Sequence, residues 1–179
     1  ASLYGYKSAG VNAANGNPMF EKGDGRIVQR DVKTGAFSFY DAANPGVTTN
    51  TTGASLSSAD VKKGGDRRVL GNTNPTWFGS VNNSFKYKAF DAEIFTRFSG
   101  GNKIMNITRQ ESLLNMDFNN NGTEILNRWT TPGQVTDVPK MYLNNGNIIN
   151  MNGNSISRFI ESGNFLRIQN ITLGYTLPK

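Results

Sequence analysis

The carboxylates Asp91 and Glu93 stand two residues apart, with Lys86 before them and Arg97 after them. A carboxylate pair is the minimum equipment for general acid–base work where no imidazole is at hand. The 179 residues contain no His and no Cys. That removes the imidazole base, the Ser–His–Asp arrangement, the thiolate nucleophile and most zinc sites. Asp91 and Glu93 read as an ordinary pair on one face of a strand, so the chain is not read as an enzyme and no cofactor is implied. Asp117-Phe118-Asn119-Asn120-Asn121-Gly122 opens like a calcium loop, with Asp117, Asn119 and Asn121 as the candidate ligands. Its twelfth position is Arg128, where a bidentate Glu is wanted. An Asn-rich turn accounts for the segment equally well, and no metal is assigned. Trp129, Tyr142 and Phe118 lie in polar surroundings, where an exposed ring stacks on a sugar or anchors a partner. For Trp129 a buried place beneath its own segment is favoured, because Ile125 and Leu126 share that segment at helical spacing.

The charge balance, 19 Lys and Arg against 13 Asp and Glu, is basic. The cations are scattered and never form a block of five or six, so they describe a solvated surface and no nucleic-acid partner is expected. The acceptor-like tripeptides at Asn50, Asn82, Asn106, Asn121 and Asn170 are what an Asn- and Thr-rich chain produces by composition.

The elements that position these residues are strands. From Trp77 to Tyr87 one face carries Trp77, Val81, Phe85 and Tyr87, while the other carries Phe78, Ser80, Asn82, Ser84 and Lys86. After a short turn near Lys88-Ala89 the alternation resumes, with Phe90, Ala92, Ile94 and Phe98 opposite Asp91, Glu93, Phe95 and Arg97. A third strand is expected over Phe165–Leu177, with Ile171, Leu173, Tyr175 and Leu177 on one face. Strands of this length suit a tilted bilayer crossing and exceed the globular average. The hairpin by itself fits a membrane barrel or a soluble β-sandwich.

The remaining segments favour the barrel. Residues 101–157 are polar and rich in Asn, with short helices expected over Arg109–Met116 and Glu124–Trp129. Loops of that length are uncommon in compact domains and at home on the outer side of a membrane barrel. Near the start, Lys33-Thr34-Gly35 joins two short apolar runs as a hairpin, and residues 41–65 read as an exposed loop. The sequence has no signal peptide and no initiator Met, and both ends read as cut from a longer chain. The expected architecture is therefore all-β, part of a large antiparallel transmembrane β-barrel with long extracellular loops containing short helices. It divides into a loop and hairpin region (1–73), a transmembrane hairpin (74–100), a long extracellular loop (101–162) and a transmembrane strand (163–179). In this reading Trp77, Val81, Phe85, Tyr87, Phe90, Ile94, Phe98, Leu173 and Tyr175 face lipid. Lys86, Asp91, Glu93 and Arg97 face an aqueous lumen.

Several stretches in order carry a resemblance: Tyr4-Gly5-Tyr6-Lys7, Gly16-Asn17-Pro18-Met19-Phe20, Asp66-Arg67-Arg68-Val69-Leu70-Gly71-Asn72-Thr73-Asn74-Pro75 and Phe85-Lys86-Tyr87-Lys88-Ala89-Phe90-Asp91. They continue through Leu126-Asn127-Arg128-Trp129, Thr136-Asp137-Val138-Pro139, Ser157-Arg158-Phe159-Ile160 and Phe165 to Tyr175. Read together, they resemble the C-terminal part of the barrel in SusC/RagA-type TonB-linked transporters of Bacteroidota. That resemblance implies location in the bacterial outer membrane and uptake of oligosaccharides or peptides. It also implies a SusD-like surface lipoprotein as partner, and TonB with ExbB and ExbD acting through an N-terminal region that this sequence lacks. The rival expectation is a soluble β-sandwich that binds carbohydrate or acts as an adhesin.

Overall fold

The computed structural model describes residues 1–116 and 120–178. Among them run the strands β1 (Ser2–Val11), β2 (Pro18–Glu21), β3 (Ile27–Arg30), β4 (Phe37–Phe39) and β5 (Arg67–Asn72). They are followed by β6 (Trp77–Tyr87), β7 (Phe90–Gly100), β8 (Lys103–Met105), a short helix α1 (Gly146–Asn150), β9 (Ile160–Ser162) and β10 (Phe165–Tyr175). The chain forms two compact units. Unit 1 comprises Ala1–Ser2, Gly71–Ile104 and Glu161–Lys179, and unit 2 comprises Leu3–Leu70 and Met105–Ile160.

Unit 1 is built on a three-stranded antiparallel sheet in the order β10-β7-β6. The alternation over residues 77–98 becomes the β6–β7 hairpin, in unbroken register from Trp77↔Gly100 to Tyr87↔Phe90. Its turn puts Lys88 at φ 54, a left-handed conformation that costs a residue with a Cβ roughly 1–2 kcal/mol. β10 pairs with β7 from Phe165↔Ser99 to Tyr175↔Phe90, with a bulge between Ile168 and Asn170. Strict alternation along β10 would put Leu166 and Ile168 on the face opposite Ile171 and Leu173. The extra residue, Gln169, absorbs that change of phase, and all four come to lie on one face with Tyr175.

A barrel requires its first and last strands to pair. Here β6 and β10 are the outer strands of an open sheet, and neither the five-stranded nor the two-stranded sheet closes. The expected transmembrane β-barrel is thereby corrected: the fold is a mixed, mostly antiparallel β structure with short helical turns. Alternation and strand length specify a strand with unlike faces, but closure depends on neighbours that a local pattern does not encode. No helix among the described residues is long and apolar enough to cross a membrane.

Unit 2 holds the principal core. Its sheet runs β4-β3-β2-β1-β5, and Phe20, Val28, Leu114, Met116, Val138, Ile149, Ile156 and Phe159 are buried beside it. The expected hairpin at Lys33-Thr34-Gly35 is present as β3–β4. The carboxylate of Asp31 accepts the N–H of Thr34 at 2.7 Å, and Gly35 supplies the positive φ. Tyr6 donates its N–H to the Ser155 carbonyl at 2.9 Å. A Cβ on Gly5 would collide with that same carbonyl, so glycine alone permits the approach.

Residues 41–65 are mostly exposed, as expected of a loop, yet they are firmly tied. Ala54 and Leu56 pack against the core. Pro45 and Val47 offer carbonyls to Asn12 Nδ2 (2.6 Å) and Gln29 Nε2 (2.9 Å). The helix expected over Arg109–Met116 is a π-helical turn at Thr108–Leu113, and that over Glu124–Trp129 is a 3-10 turn at Thr123–Asn127.

Candidate functional site

Cross-strand pairing assigns each residue of the three-stranded sheet to a face. One face collects Trp77, Val81, Phe85, Tyr87, Phe90, Ile94, Phe98, Leu166, Ile168, Ile171, Leu173 and Tyr175. The structure therefore brings together on one surface all nine residues expected to face lipid. Leu173 is 79% and Tyr87 72% exposed, while Ile94 and Phe98 on the central strand are half-buried. Phe98 lies over Gly79 and meets Trp77 with ring centroids 6.2 Å apart; Phe90 meets Tyr175 at 4.7 Å. These contacts knit the face laterally without covering it.

The opposite face carries Lys86, Asp91, Glu93 and Arg97, the residues expected to face water, with Ser80, Asn82, Ser84, Arg167 and Thr172. Lys86 stands directly across from Asp91. Glu93 accepts a hydrogen bond from Asn82 Nδ2 at 2.7 Å, and Arg97 pairs across the strands with Ser80 and Arg167. Glu93 stands across from Ser84 and Thr172, and Arg97 faces the like-charged Arg167, so the face mixes opposite and like charges. Phe78, Phe95 and Phe165 interrupt it.

The loop aromatics separate. Trp129 is only 6% exposed. Its indole N–H donates to the Ala13 carbonyl at 2.9 Å, and the Lys140 ammonium sits 5.5 Å from its ring. It is a packing residue of unit 2. Tyr142 keeps an exposed ring with the Lys33 ammonium 6.0 Å away. Phe118, Asp117 and Asn119 lie outside the described residues. Asn121, the third calcium candidate, accepts the Met116 N–H through Oδ1 at 2.9 Å, which is turn chemistry. Among the described residues no group of carboxylates could hold a metal ion.

One concave site escaped the sequence reading. Arg26, Ile27, Phe39, Tyr40, Asn50 and Thr52 line a cavity of about 330 Å³ beside the outer strand β4. The Arg26 guanidinium lies 4.2 Å from the Phe39 ring centroid and donates from Nε and Nη2 to Asp24 at 2.9 and 2.8 Å. That fork holds the Asp24 carboxyl below the usual carboxylate range. Asn50 accepts the Phe39 N–H at 2.8 Å through its carbonyl, which fixes the loop against β4. The sequence signal was available in the β3–β4 hairpin, which brings residues 26–27 opposite 39–40. The contribution of Asn50 and Thr52 depends on a tertiary contact that no local pattern announces.

No protein-family model matches the chain. TonB-dependent receptor P3 of Formosa agariphila is 31% identical over 114 residues, which is 64% of this chain and 10% of that protein. TonB-dependent receptor P26 of the same organism is 24% identical over 119 residues, 63% of this chain and 11% of that protein. The chain thus spans about a tenth of the length of these curated relatives. A solved structure of the RagAB peptide transporter superposes with a TM-score of 0.60 at 21% identity, covering 99% of this chain and 16% of that one. The RagAB peptide importer in its closed-closed state gives 0.60 at 20% identity. These likenesses establish distant, partial homology to TonB-dependent receptors and a shared fold with part of a RagA-type assembly. With every sheet among the described residues open, they replace the expected identification as a barrel piece.

Proposed function

We propose that this chain acts at the bacterial outer membrane as a solute-recognition portion of a protein related to TonB-dependent receptors, serving the uptake of oligosaccharides or peptides. The observation that carries the reading is the division of labour between two differently built surfaces. Unit 2 buries its own core around Phe20 and Phe159 and holds loops firmly over its sheet. The sheet of unit 1 presents an uncovered apolar face larger than monomers free in water usually tolerate. In this proposal the apolar face, with Trp77, Val81, Phe85 and Leu173, associates with outer-membrane lipid. Lys86, Asp91, Glu93 and Arg97 face water and solute. Tyr142 and the loop surface of unit 2 meet a SusD-like lipoprotein, and TonB with ExbB and ExbD energises the whole protein through segments beyond this chain. Distant homology to TonB-dependent receptors supports the reading.

A second reading is a carbohydrate-binding or adhesin module that works without an import partner. The self-contained core of unit 2 and the open sheets favour it. Affinity purification of the native protein from detergent-solubilised outer membranes, with mass spectrometry of what accompanies it, separates the two. A SusD-like lipoprotein together with a bound oligosaccharide or peptide is the expected result. Recovery without detergent, as a monomer with no lipoprotein, would transfer the assignment to the second reading.

A further inference from the structure

The cavity beside β4 has the chemistry of a sugar site, and we propose that it binds one neutral hexose unit of an oligosaccharide. The proposal rests on the reading of the chain as a solute-recognition portion and assigns that recognition to Arg26, Phe39, Tyr40, Asn50 and Thr52. At about 330 Å³ the cavity stands at the small end of ligand pockets and suits a single ring better than a folded partner.

A pyranose offers hydroxyls around its rim and C–H groups on its faces, so its recognition needs mixed donors and acceptors beside flat apolar surface. The cavity supplies both. The planar Arg26 guanidinium, 4.2 Å from the Phe39 ring centroid, and the Tyr40 ring supply the flat surface, and the rest of the lining is mostly polar. The Asn50 carboxamide, the Thr52 hydroxyl, the Tyr40 phenol and Arg26 Nη1 form no hydrogen bond within the described residues and are available to a ligand. The side chains of Asn50 and Thr52 belong to exposed residues.

Two features select against other solutes. The Arg26 charge is already matched by Asp24 through two hydrogen bonds, so a uronate or phosphate finds no uncommitted counter-charge. An extended peptide would bind by adding to the outer edge of β4. The Phe39 N–H needed for that ladder is given to the Asn50 carbonyl.

The test uses the full chain in a detergent without a sugar headgroup, titrated calorimetrically with maltotriose, cellotriose, laminaritriose and mannotriose. Trigalacturonate and tetra-alanine are the comparison ligands. At least one neutral trisaccharide is expected to bind, with Tyr40→Ala and Asn50→Ala each weakening it about tenfold, the loss of one good contact. Thr48→Ala, outside the cavity, leaves it unchanged, and circular dichroism confirms that each variant is folded. Undiminished trisaccharide binding in both variants overturns the site and leaves the recognition reading standing. Binding of only trigalacturonate or tetra-alanine overturns the choice of a neutral sugar, again without touching that reading. Binding of none of the six ligands overturns the sugar site, and the recognition reading is then decided separately by the lipoprotein and solute that accompany the native protein.

Discussion

Trp129 donates its indole N–H to the carbonyl of Ala13, a residue 116 positions earlier in the chain, at 2.9 Å. The N–H of Gly133 reaches the same carbonyl at 2.8 Å, so a single oxygen gathers the loop after β1 and the loop after the 3-10 turn. Gly16 closes on the face of the ring, where a Cβ would stand 2.6 Å from it. Trp129→Ala removes the ring and the bond together and is expected to cost about 3–5 kcal/mol. Trp129→Phe loses mainly the hydrogen bond and should cost roughly 1 kcal/mol. Hydrogen exchange of core amides in unit 2 measures both, and equal protection loss in the two variants would contradict this account.

Lys22 and Asp66 form a second long-range tie at 2.9 Å, with both side chains nearly buried. Lys22 also donates to the Ser55 carbonyl at 2.6 Å, and Asp66 accepts the N–H groups of Ser57 at 2.6 Å and Gly23 at 2.8 Å. Asp66→Ala strands a buried ammonium and is expected to destabilise unit 2 by about 3–5 kcal/mol. Burial pushes the Asp66 carboxyl up, but the two N–H donors and Lys22 together outweigh it and hold it below the usual range. A depressed carboxyl pKa contributes stability above the unfolded value, roughly 3.9. That contribution is lost as the pH falls through the lower folded value. Denaturant midpoints should therefore fall on acidification below about pH 4 in the natural sequence, and less steeply in Asp66→Ala. Parallel curves would show that Asp66 is not the linked group.

The strands of unit 1 were legible because alternation is a local property, and Trp77–Tyr87 and Phe90–Phe98 carry it almost without interruption. Closure was not legible, since whether β6 and β10 find partners depends on residues far away in sequence. β1 escaped notice for a different reason. Ser2–Val11 is rich in Gly, Ser and Ala and becomes a strand by lying between β2 and β5, where tertiary pairing overrides weak propensity. Trp129 is buried against Ala13, Gly16 and Lys140 from distant segments, contacts that the helical spacing of Ile125 and Leu126 did not announce, and Leu126 itself remains exposed. The β4 cavity was hidden because two of its six lining residues, Asn50 and Thr52, come from a loop whose composition suggested no fixed position.

Deleting Gln169 is expected to be tolerated, against the usual rule that a one-residue change inside a strand turns every later side chain over. The bulge is where pairing skips this residue, so its removal leaves Ile168↔Thr96 and Asn170↔Phe95 as regular neighbours. Cysteines at positions 166 and 98, directly paired in the sheet, should form a disulfide in both chains. Failure of the crosslink only in the shortened chain would show that the bulge has another role.

Lys88→Gly should stabilise the β6–β7 hairpin by about 1 kcal/mol, because glycine adopts φ 54 without the clash a Cβ brings. Exchange rates of the amides next to the turn report the change. Faster exchange in the variant would mean that the lysine side chain itself holds the turn.

The pairing of β10 with β7 also sets an order of events. The β6–β7 hairpin needs only a two-residue reversal and can form within microseconds of its synthesis. β10 arrives after the whole segment between Gly101 and Asn164 has been made. During that interval the central strand has a vacant side, and any other nascent chain with a matching stripe competes for it. Chains refolding together at high concentration should therefore exchange third strands, making the length of the 101–164 connection a determinant of refolding yield.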